Sequence, residues 1–453
     1  MGAALSESSR SQGRTVNPVS GHHWLMIVIA SCGYIFACMV QRIATLATRA
    51  SLDQLGVGGA ESVRLSTGFL ANPMLLGWIV GGLVFGVLSD RWGRVKTAIT
   101  TLIVCSCFTA LTGFASGGLS FAFFQFFAGT GVGGMLVAAV TLLAESVPDG
   151  MRPLALGLLV ALSAVGSIIG SAISLVAPPH AASFVDLPGW RVLFWVGALP
   201  PFLVLPLFFV LKEPTVWKRA VCESKVGEKV GSYVALFASP RWRRNALAGL
   251  LLGFAGMLGL ATVGQLRPQL IHHTLRGESQ EVLSSVLIWS TFAHDVGAFS
   301  GMLGLALATS LFRRRSVFFA ALILAWGTTA CVFWNLDTTT DAYWMSALLG
   351  LAQFPVFAGY AIYFPELFPA QLRGTGVGFC YSAARLASAV IAPSLVFYVS
   401  LNAAMLTQGA VDPARMSGIA LSFVFLVGLI PLIWSPETSG EPLLQGGGDR
   451  RET

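Results

Sequence analysis

Residues Glu145 to Gly157 read ESVPDGMRPLALG, and residues Glu366 to Gly378 read ELFPAQLRGTGVG. Laid over each other without a gap, Glu145, Pro148, Arg152 and Gly157 fall on Glu366, Pro369, Arg373 and Gly378. Each copy follows one long apolar run and precedes another. Four residue types at one spacing, at the same place in each half of the chain, mark an internal repeat. The fold is therefore built from two similar units, and the apolar runs decide what those units are.

The 453 residues are 55% hydrophobic and only 11% charged, with a mean hydropathy of +0.74. Soluble domains carry about a quarter charged residues, so this chain could not cover its own surface in water. Its apolar runs are near the ~20 residues that cross ~30 Å of hydrocarbon. They are too long for the alternating strands of a barrel, which makes the chain an all-α, multi-pass membrane protein. Twelve spans are expected: 24–47, 69–89, 97–116, 118–142, 153–177, 190–211, 244–266, 283–309, 316–335, 343–364, 376–400 and 416–435. The run after the polar start of the chain is longer than a signal-peptide core and lacks a small-residue cleavage site, so it reads as a retained helix. The organisation is a tail (1–23), a six-helix bundle (24–211), a hydrophilic loop (212–243), a second bundle (244–435) and a tail (436–453).

Lysine and arginine set the orientation. With the N-terminus inside, the cytoplasmic side receives Arg10, Arg14, Arg91, Arg94, Lys96, Arg152, the basic 212–244 region, Arg313 to Arg315, Arg373, Arg450 and Arg451. The outside receives only Arg49, Arg64, Arg191, Arg267, Arg276 and Arg415. That bias puts both termini in the cytoplasm. The net charge of +7 then reflects topology and anionic headgroups, not nucleic acid. The seven cysteines lie in spans or in the cytoplasmic loop, none placed for an external disulfide. Cys105 and Cys107 point to different faces of one helix, so no metal pair is expected. The sequence GTGVGG at 129–134 matches a dinucleotide fingerprint by letter, but it lies inside an apolar helix with no strand before it. Small residues there instead let helices pack closely or rock past each other. No P-loop is present, and no nucleophile–base pair survives its context, so neither an ATP-driven pump nor an enzyme is indicated.

Two repeated bundles around a midplane site are the usual architecture of secondary transporters. More specifically, GVLSDRWGR (Gly86 to Arg94) is similar to the loop signature of the major facilitator superfamily. The Glu–Pro–Arg repeats, the ending FFVLKEPTVW after span 6 and SPETSGEP after span 12 resemble its sugar and organic-acid porters. The resemblance covers Trp24 to about Leu444. It implies that Asp90 faces the N-terminus of span 11 and that Arg94 and Glu145 complete a cytoplasmic latch. Gly86, Arg91, Gly93 and Arg152 belong to the same region. In the second half Thr309 stands where Asp90 would align, so Glu366, with Arg313 to Arg315, offers only a degenerate counterpart; Arg373 is the repeat's second arginine. This chain also departs from the family. Gln125 replaces an arginine common in porters four residues before Gly129, and Met135 stands where an acid is frequent.

The stretch STFAHDVGAFSGM (290–302) places His294 and Asp295 near the middle of span 8. Arg385 in FCYSAARLASA reaches a similar depth in span 11. Unpaired, each charge costs about 2.5–3.5 kcal/mol at the bilayer centre, so an Asp295–Arg385 pair or a shared wet pocket is expected. Such a site can load and release a proton, because desolvation favours the acid and a nearby arginine the carboxylate. His294, about 100° round the helix, is expected to share the pocket only partly. A purely structural pair locking spans 8 and 11 is the other reading. Arg42 lies about 27 Å along span 1 from Trp24. It either binds a solute carboxylate, as the resemblance to organic-anion porters implies, or snorkels outward. Gln125 is a hydrogen-bonding candidate, and Trp289, Tyr360, Tyr363 and Tyr381 are stacking candidates, with Tyr381 one turn from Arg385. Gln265, Arg267 and Gln269 read as solvated loop residues, with an external gate as the alternative.

The expected function is secondary active transport, by alternating access in the inner membrane, of a small polar or anionic organic solute: an organic acid, sugar acid or sugar. Proton symport is expected, with sodium the alternative ion and no other cofactor. The expected partners are the solute and the lipid bilayer, and the chain is expected to act as a monomer. The rivals are a proton-coupled efflux antiporter for amphipathic compounds and a transporter-derived sensor that moves nothing.

Overall fold

The computed structural model describes residues 21–57, 59, 72–176, 178, 187–223, 230–407 and 412–444. The expected tails therefore lie outside the described residues except for 21–23 and 436–444, as does 224–229 of the central loop.

Among the described residues, twelve helices are long and apolar enough to span a membrane. In chain order they are α1 (Gly21–Gln54), α2 (Pro73–Trp92), α3 (Arg94–Thr112), α4 (Gly118–Ser146), α5 (Arg152–Val176), α6 (Gly189–Phe208), α7 (Pro240–Thr274), α8 (Gln280–Leu311), α9 (Arg314–Asn335), α10 (Thr339–Glu366), α11 (Arg373–Thr407) and α12 (Pro413–Leu432). Turns at Phe423 and Gly428 interrupt α12. Each expected span has its helix, but α1, α7 and α11 run 34, 35 and 35 residues. At about 1.5 Å per residue these exceed 50 Å, more than the hydrocarbon is thick. Hydropathy marks only the part of a helix that needs lipid, so the wet ends escaped the sequence reading.

Within the first half α1 packs on α4, α5 and α6, α2 on α4, and α3 on α4 and α6. In the second half α8 packs on α10, α7 on α11, and α9 on α10 and α12. The halves meet along two seams, α2 against α11 and α5 against α8. The 129–134 glycines serve packing: a β-carbon at Gly129 or Gly133 would strike the carbonyl of Met74 or Trp78 on α2. The α2–α11 seam is equally tight. A β-carbon on Gly86 would come within 2.7 Å of the Gly374 carbonyl, and one on Gly374 within 2.6 Å of the Gly86 carbonyl.

Alternating helix direction gathers both described chain ends and the connections after α2, α4, α6, α8 and α10 at one end, here termed the terminal face. Two short helices of the central segment, Thr215–Glu223 and Tyr233–Ala238, dock beneath it. The Trp217 indole donates to the Asp90 carbonyl at 2.7 Å, and the Tyr233 hydroxyl donates to the Leu83 carbonyl at 2.7 Å. The repeat extends to the helix caps. Glu213 accepts from the backbone N–H groups of Arg94 and Lys96 at 2.8 and 3.1 Å, at the start of α3. Glu437 accepts from Arg314 and Arg315 at 2.9 and 3.2 Å, at the start of α9. Both carboxylates complement the positive end of a helix, and they sit in the two endings KEP and PET.

Gly86→Leu should wedge the α2–α11 seam apart. Overpacking of this kind costs about 1–3 kcal/mol, a penalty paid only while the terminal face is shut. Ser382, buried on α11 where a β-carbon at Gly82 of α2 would meet its hydroxyl, reports that opening once it is replaced by cysteine. In a variant whose only cysteine is introduced by Ser382→Cys, Gly86→Leu should raise the rate of labelling by a hydrophilic maleimide roughly tenfold. An unchanged rate would mean that this seam does not hold the face closed.

Candidate functional site

The terminal face is closed by a buried network. The Asp90 carboxylate accepts from the backbone N–H groups of Gly374 and Thr375 at 2.8 and 2.7 Å, and from the Thr375 hydroxyl at 2.7 Å. It thus caps the first turn of α11 from the other half of the molecule, where the helix dipole favours a negative charge. Arg94 pairs with Asp90 at 2.8 Å and grips Glu145 with two nitrogens, at 3.1 and 2.8 Å. It also donates to the Ala370 carbonyl, across the seam, at 2.8 Å. Glu145 accepts in turn from Arg373 Nη1 at 2.7 Å. The side chains of Asp90, Arg94, Glu145 and Arg373 are all inaccessible to solvent.

The mirror arrangement does not cross the seam. Glu366 accepts from Arg314 of its own half at 3.0 and 3.3 Å, and from Thr438 at 2.5 Å. Arg152 bonds to Asp149 and to the Ala144 carbonyl rather than reaching Glu366. Arg152 and Glu366 are therefore removed from the cross-seam latch; each has a nearer partner. The Thr309 hydroxyl bonds within its own helix. Arg91 holds the central segment, donating to the Gly231 carbonyl at 3.1 Å. Gly93, at φ +114°, turns the chain where a β-carbon would strike the Glu213 carboxylate.

Between the halves lies a cavity of about 430 Å³. Four charged side chains line it, each from a different helix: Arg42 of α1, Arg267 of α7, Asp295 of α8 and Arg385 of α11. Arg42 forms an ion pair with Asp295. The His294 Nδ1 lies 3.5 Å from the same carboxylate, and its ring meets Phe354 edge-on at 5.3 Å. Arg267 donates to the Thr291 hydroxyl at 3.1 Å, while its other terminal nitrogen is buried with no partner among the described residues. Arg385 lies over the Trp78 ring, 3.7 Å from its centroid. No carboxylate pairs with it among the described residues. Tyr34, Phe354, Phe357 and Met257 contribute aromatic and apolar wall.

Several expectations need correction here. Asp295 pairs with Arg42, not Arg385, because α1 presents its arginine across the cavity to α8 while Arg385 turns to Trp78 on α2. The pair joins the two halves rather than locking α8 to α11. His294 faces the cavity beside Asp295. Arg267 is a cavity residue, not part of a solvated loop, since α7 continues to Thr274. Gln125 leaves the site: it is buried between α3 and α4, its amide 3.5 Å from the Thr112 hydroxyl. Trp289 is 58% exposed on the outer surface, against Phe292. Tyr381 is buried behind the cavity wall among Phe357, Tyr360 and Phe364. The hydroxyls of Tyr360 and Tyr363 go to the carbonyls of Leu252 and Pro436 at 2.8 and 2.6 Å, so both rings are packing residues.

A profile of the Major Facilitator Superfamily matches residues 24–393. The cis,cis-muconate transport protein of Acinetobacter baylyi is 28% identical over 83% of this chain and 87% of its own length. The gentisate transporter of Corynebacterium glutamicum is 24% identical over 92% and 91%. The niacin transporter NiaP of Acinetobacter baylyi is 23% identical over 94% and 97%. Among solved structures, the proton:xylose symporter XylE superposes with a TM-score of 0.73, covering 93% of this chain and 98% of that one at 16% identity. The outward conformation of FucP superposes with a TM-score of 0.67, over 90% and 98%, at 15% identity.

Glu145→Gln removes the one carboxylate shared by Arg94 and Arg373, leaving Arg94 with Asp90 alone and Arg373 without a counter-ion. Breaking a buried pair from one side costs about 3–5 kcal/mol. Thermal unfolding in detergent should show a clear loss of stability, and labelling at Ser382→Cys should accelerate. Glu366→Gln, whose network stays within one half, should lower stability without accelerating labelling.

Proposed function

The chain belongs to the Major Facilitator Superfamily, and from that premise we propose that it imports a small organic carboxylate together with protons. It is a multi-pass inner-membrane transporter and not an enzyme. The observation that carries the reading is the cavity, where three guanidiniums from three helices converge against a single carboxylate. Unpaired positive charge in a low-dielectric crevice is stabilised by an anion, and guanidinium matches the planar, two-oxygen geometry of a carboxylate. The aromatic wall favours a flat, unsaturated or ring-bearing body. A sugar is disfavoured: recognition of many hydroxyls calls for several amides, and among the described residues Gln41 is the only amide side chain in the lining. The relatives named for muconate, gentisate and niacin support the same class, as each of those solutes is an unsaturated or aromatic carboxylic acid.

In this reading the terminal face is cytoplasmic, the two bundles are the moving bodies, and a monomer suffices. The solute enters from the opposite face and competes with Asp295 for Arg42. Asp295, left without its guanidinium in a low-dielectric site, is then neutralised by a proton. Rocking about the α2–α11 and α5–α8 seams breaks the Asp90 and Glu145 contacts and exposes the cavity to the cytoplasm. Release of proton and solute restores the Arg42–Asp295 pair.

Reconstituted protein should accumulate labelled cis,cis-muconate when the outside is acidic, with uptake falling as external pH rises. Asp295→Asn should abolish accumulation driven by the pH gradient while leaving solute exchange measurable. Arg385→Gln should depress both by at least about tenfold, the loss of one strong charged contact. Gradient-driven accumulation that survives Asp295→Asn would exclude Asp295 as the proton carrier.

A further inference from the structure

The four charged groups of the cavity are not gathered at one point. Arg385 sits among Tyr34, Cys38, Trp78 and Tyr381. Arg42, Arg267, His294 and Asp295 form a second cluster in which each arginine senses the Asp295 carboxylate. On α1, Cys38 and Tyr34 precede Arg42 by four and eight residues, so the two clusters are offset by roughly 6–12 Å along the helix axis. Aromatic and apolar side chains, Phe354, Phe357 and Met257 among them, line the same cavity. With His294 counted as neutral, three guanidiniums against one carboxylate leave two positive charges uncompensated. One is Arg385, which has no ion partner among the described residues. The other belongs to the Arg42–Arg267 pair, which shares one carboxylate, and Arg267 carries a buried terminal nitrogen without a partner among the described residues.

We propose that the cavity is a two-pole dianion site: Arg385 on Trp78 takes one carboxylate, Arg267 with Arg42 takes a second, and the preferred cargo is a flat, unsaturated dicarboxylate. The proposal rests on the reading of the cargo as a carboxylate and assigns Arg267 as the residue that distinguishes diacids from monoacids. A monoacid seats at the Arg385 pole, where an unpaired guanidinium adjoins aromatic surface, and leaves the Arg267 pole unsatisfied. A diacid fills both poles and supplies the two negative charges that the cavity's own side chains lack. A rigid, conjugated spacer holds its carboxylates apart without the entropy cost of straightening a flexible chain.

The test compares trans,trans-muconate with sorbate, which has the same six-carbon diene but one carboxylate. Dissociation constants are measured by calorimetry on purified protein in nanodiscs. Muconate should bind at least about tenfold more tightly than sorbate, one strong contact's worth. Arg267→Gln should erase that preference by weakening muconate, with sorbate unchanged within about twofold. Arg267→Lys, which keeps the charge, should restore part of the preference, and this separates recognition from a folding defect. Arg385→Gln should weaken both acids. Equal affinities in the unsubstituted protein, or an Arg267→Gln variant that weakens both acids alike, would overturn the two-pole site while leaving a carboxylate transporter standing. If neither acid binds, the carboxylate reading itself falls and the two-pole site with it.

Discussion

Glu145 is the carboxylate on which the closed form of this molecule depends. Two arginines from opposite halves, Arg94 and Arg373, converge on it with no access to water. A charge so placed is stable only while its partners stay. The network is therefore nearly all-or-none: with the halves together no buried polar side-chain atom of Asp90, Arg94, Glu145 or Arg373 lacks a partner, and with the halves apart solvent must enter to replace the lost ones. Asp90 extends the same logic to the backbone. It satisfies the exposed N–H groups at the start of α11 that the helix cannot satisfy itself, so parting the seam uncaps a helix as well as splitting an ion pair.

The repeat makes the absence of a mirrored lock informative. Both halves inherit the glutamate, the arginine and the capping Glu213 or Glu437, yet the second half has lost the residue that would cap α5 from across the seam. Thr309 bonds into its own helix instead, and Arg314 closes Glu366 into a local pair. The terminal face is consequently held along the α2–α11 side, while the α5–α8 side relies on close packing such as Gly157 against Ala306. A body latched on one side and merely packed on the other has a preferred way to open.

How much of this could be read from the sequence follows from what each feature depends on. The spans were legible because hydrocarbon thickness sets their length, and the two-unit fold because the Glu–Pro–Arg repeat recurs in place. The latch was legible through its resemblance to a known signature, down to Asp90, Arg94 and Glu145. Depth was legible too for Asp295 and Arg385, while Arg42, left open between binding a solute and snorkelling outward, lines the same cavity. Azimuth was not. Nothing in a linear sequence tells which side of α11 faces α2, so the Asp295 partner was assigned to the wrong helix. The same limit misplaced Gln125, Trp289 and Tyr381, whose residue types suit a site but whose faces point to α3, the outer surface and an aromatic core. Arg267 was misread for another reason: hydropathy ended its helix early, although the apolar residues Leu266, Leu270 and Ile271 around it, all buried, continue the helical spacing. The caps Glu213 and Glu437 had a visible signal, a glutamate in the same short ending of each half, that only symmetry could interpret.

The acid at 295 answers a problem that three arginines create. A crevice holding three uncompensated guanidiniums would be costly to keep empty and would grip any anion too tightly to release it. Binding that is equally strong at every stage of a cycle slows turnover rather than helping it. Asp295 offsets one positive charge in the site and, in the carboxylate reading proposed above, gives Arg42 an alternative partner to the cargo. The attraction felt by an entering anion is then a difference between two ion pairs, not the full strength of one. Because the competing acid belongs to the opposite half from Arg42, exchanging it for cargo also removes a tie between the bundles. Among the described residues only two ion pairs join the halves, Arg42–Asp295 in the cavity and Arg373–Glu145 at the terminal face. An arriving anion can loosen the first by direct competition; only movement of the whole bundle can loosen the second. In the proposed cycle, that division of labour lets binding in the crevice bias a closure about three to four helical turns away.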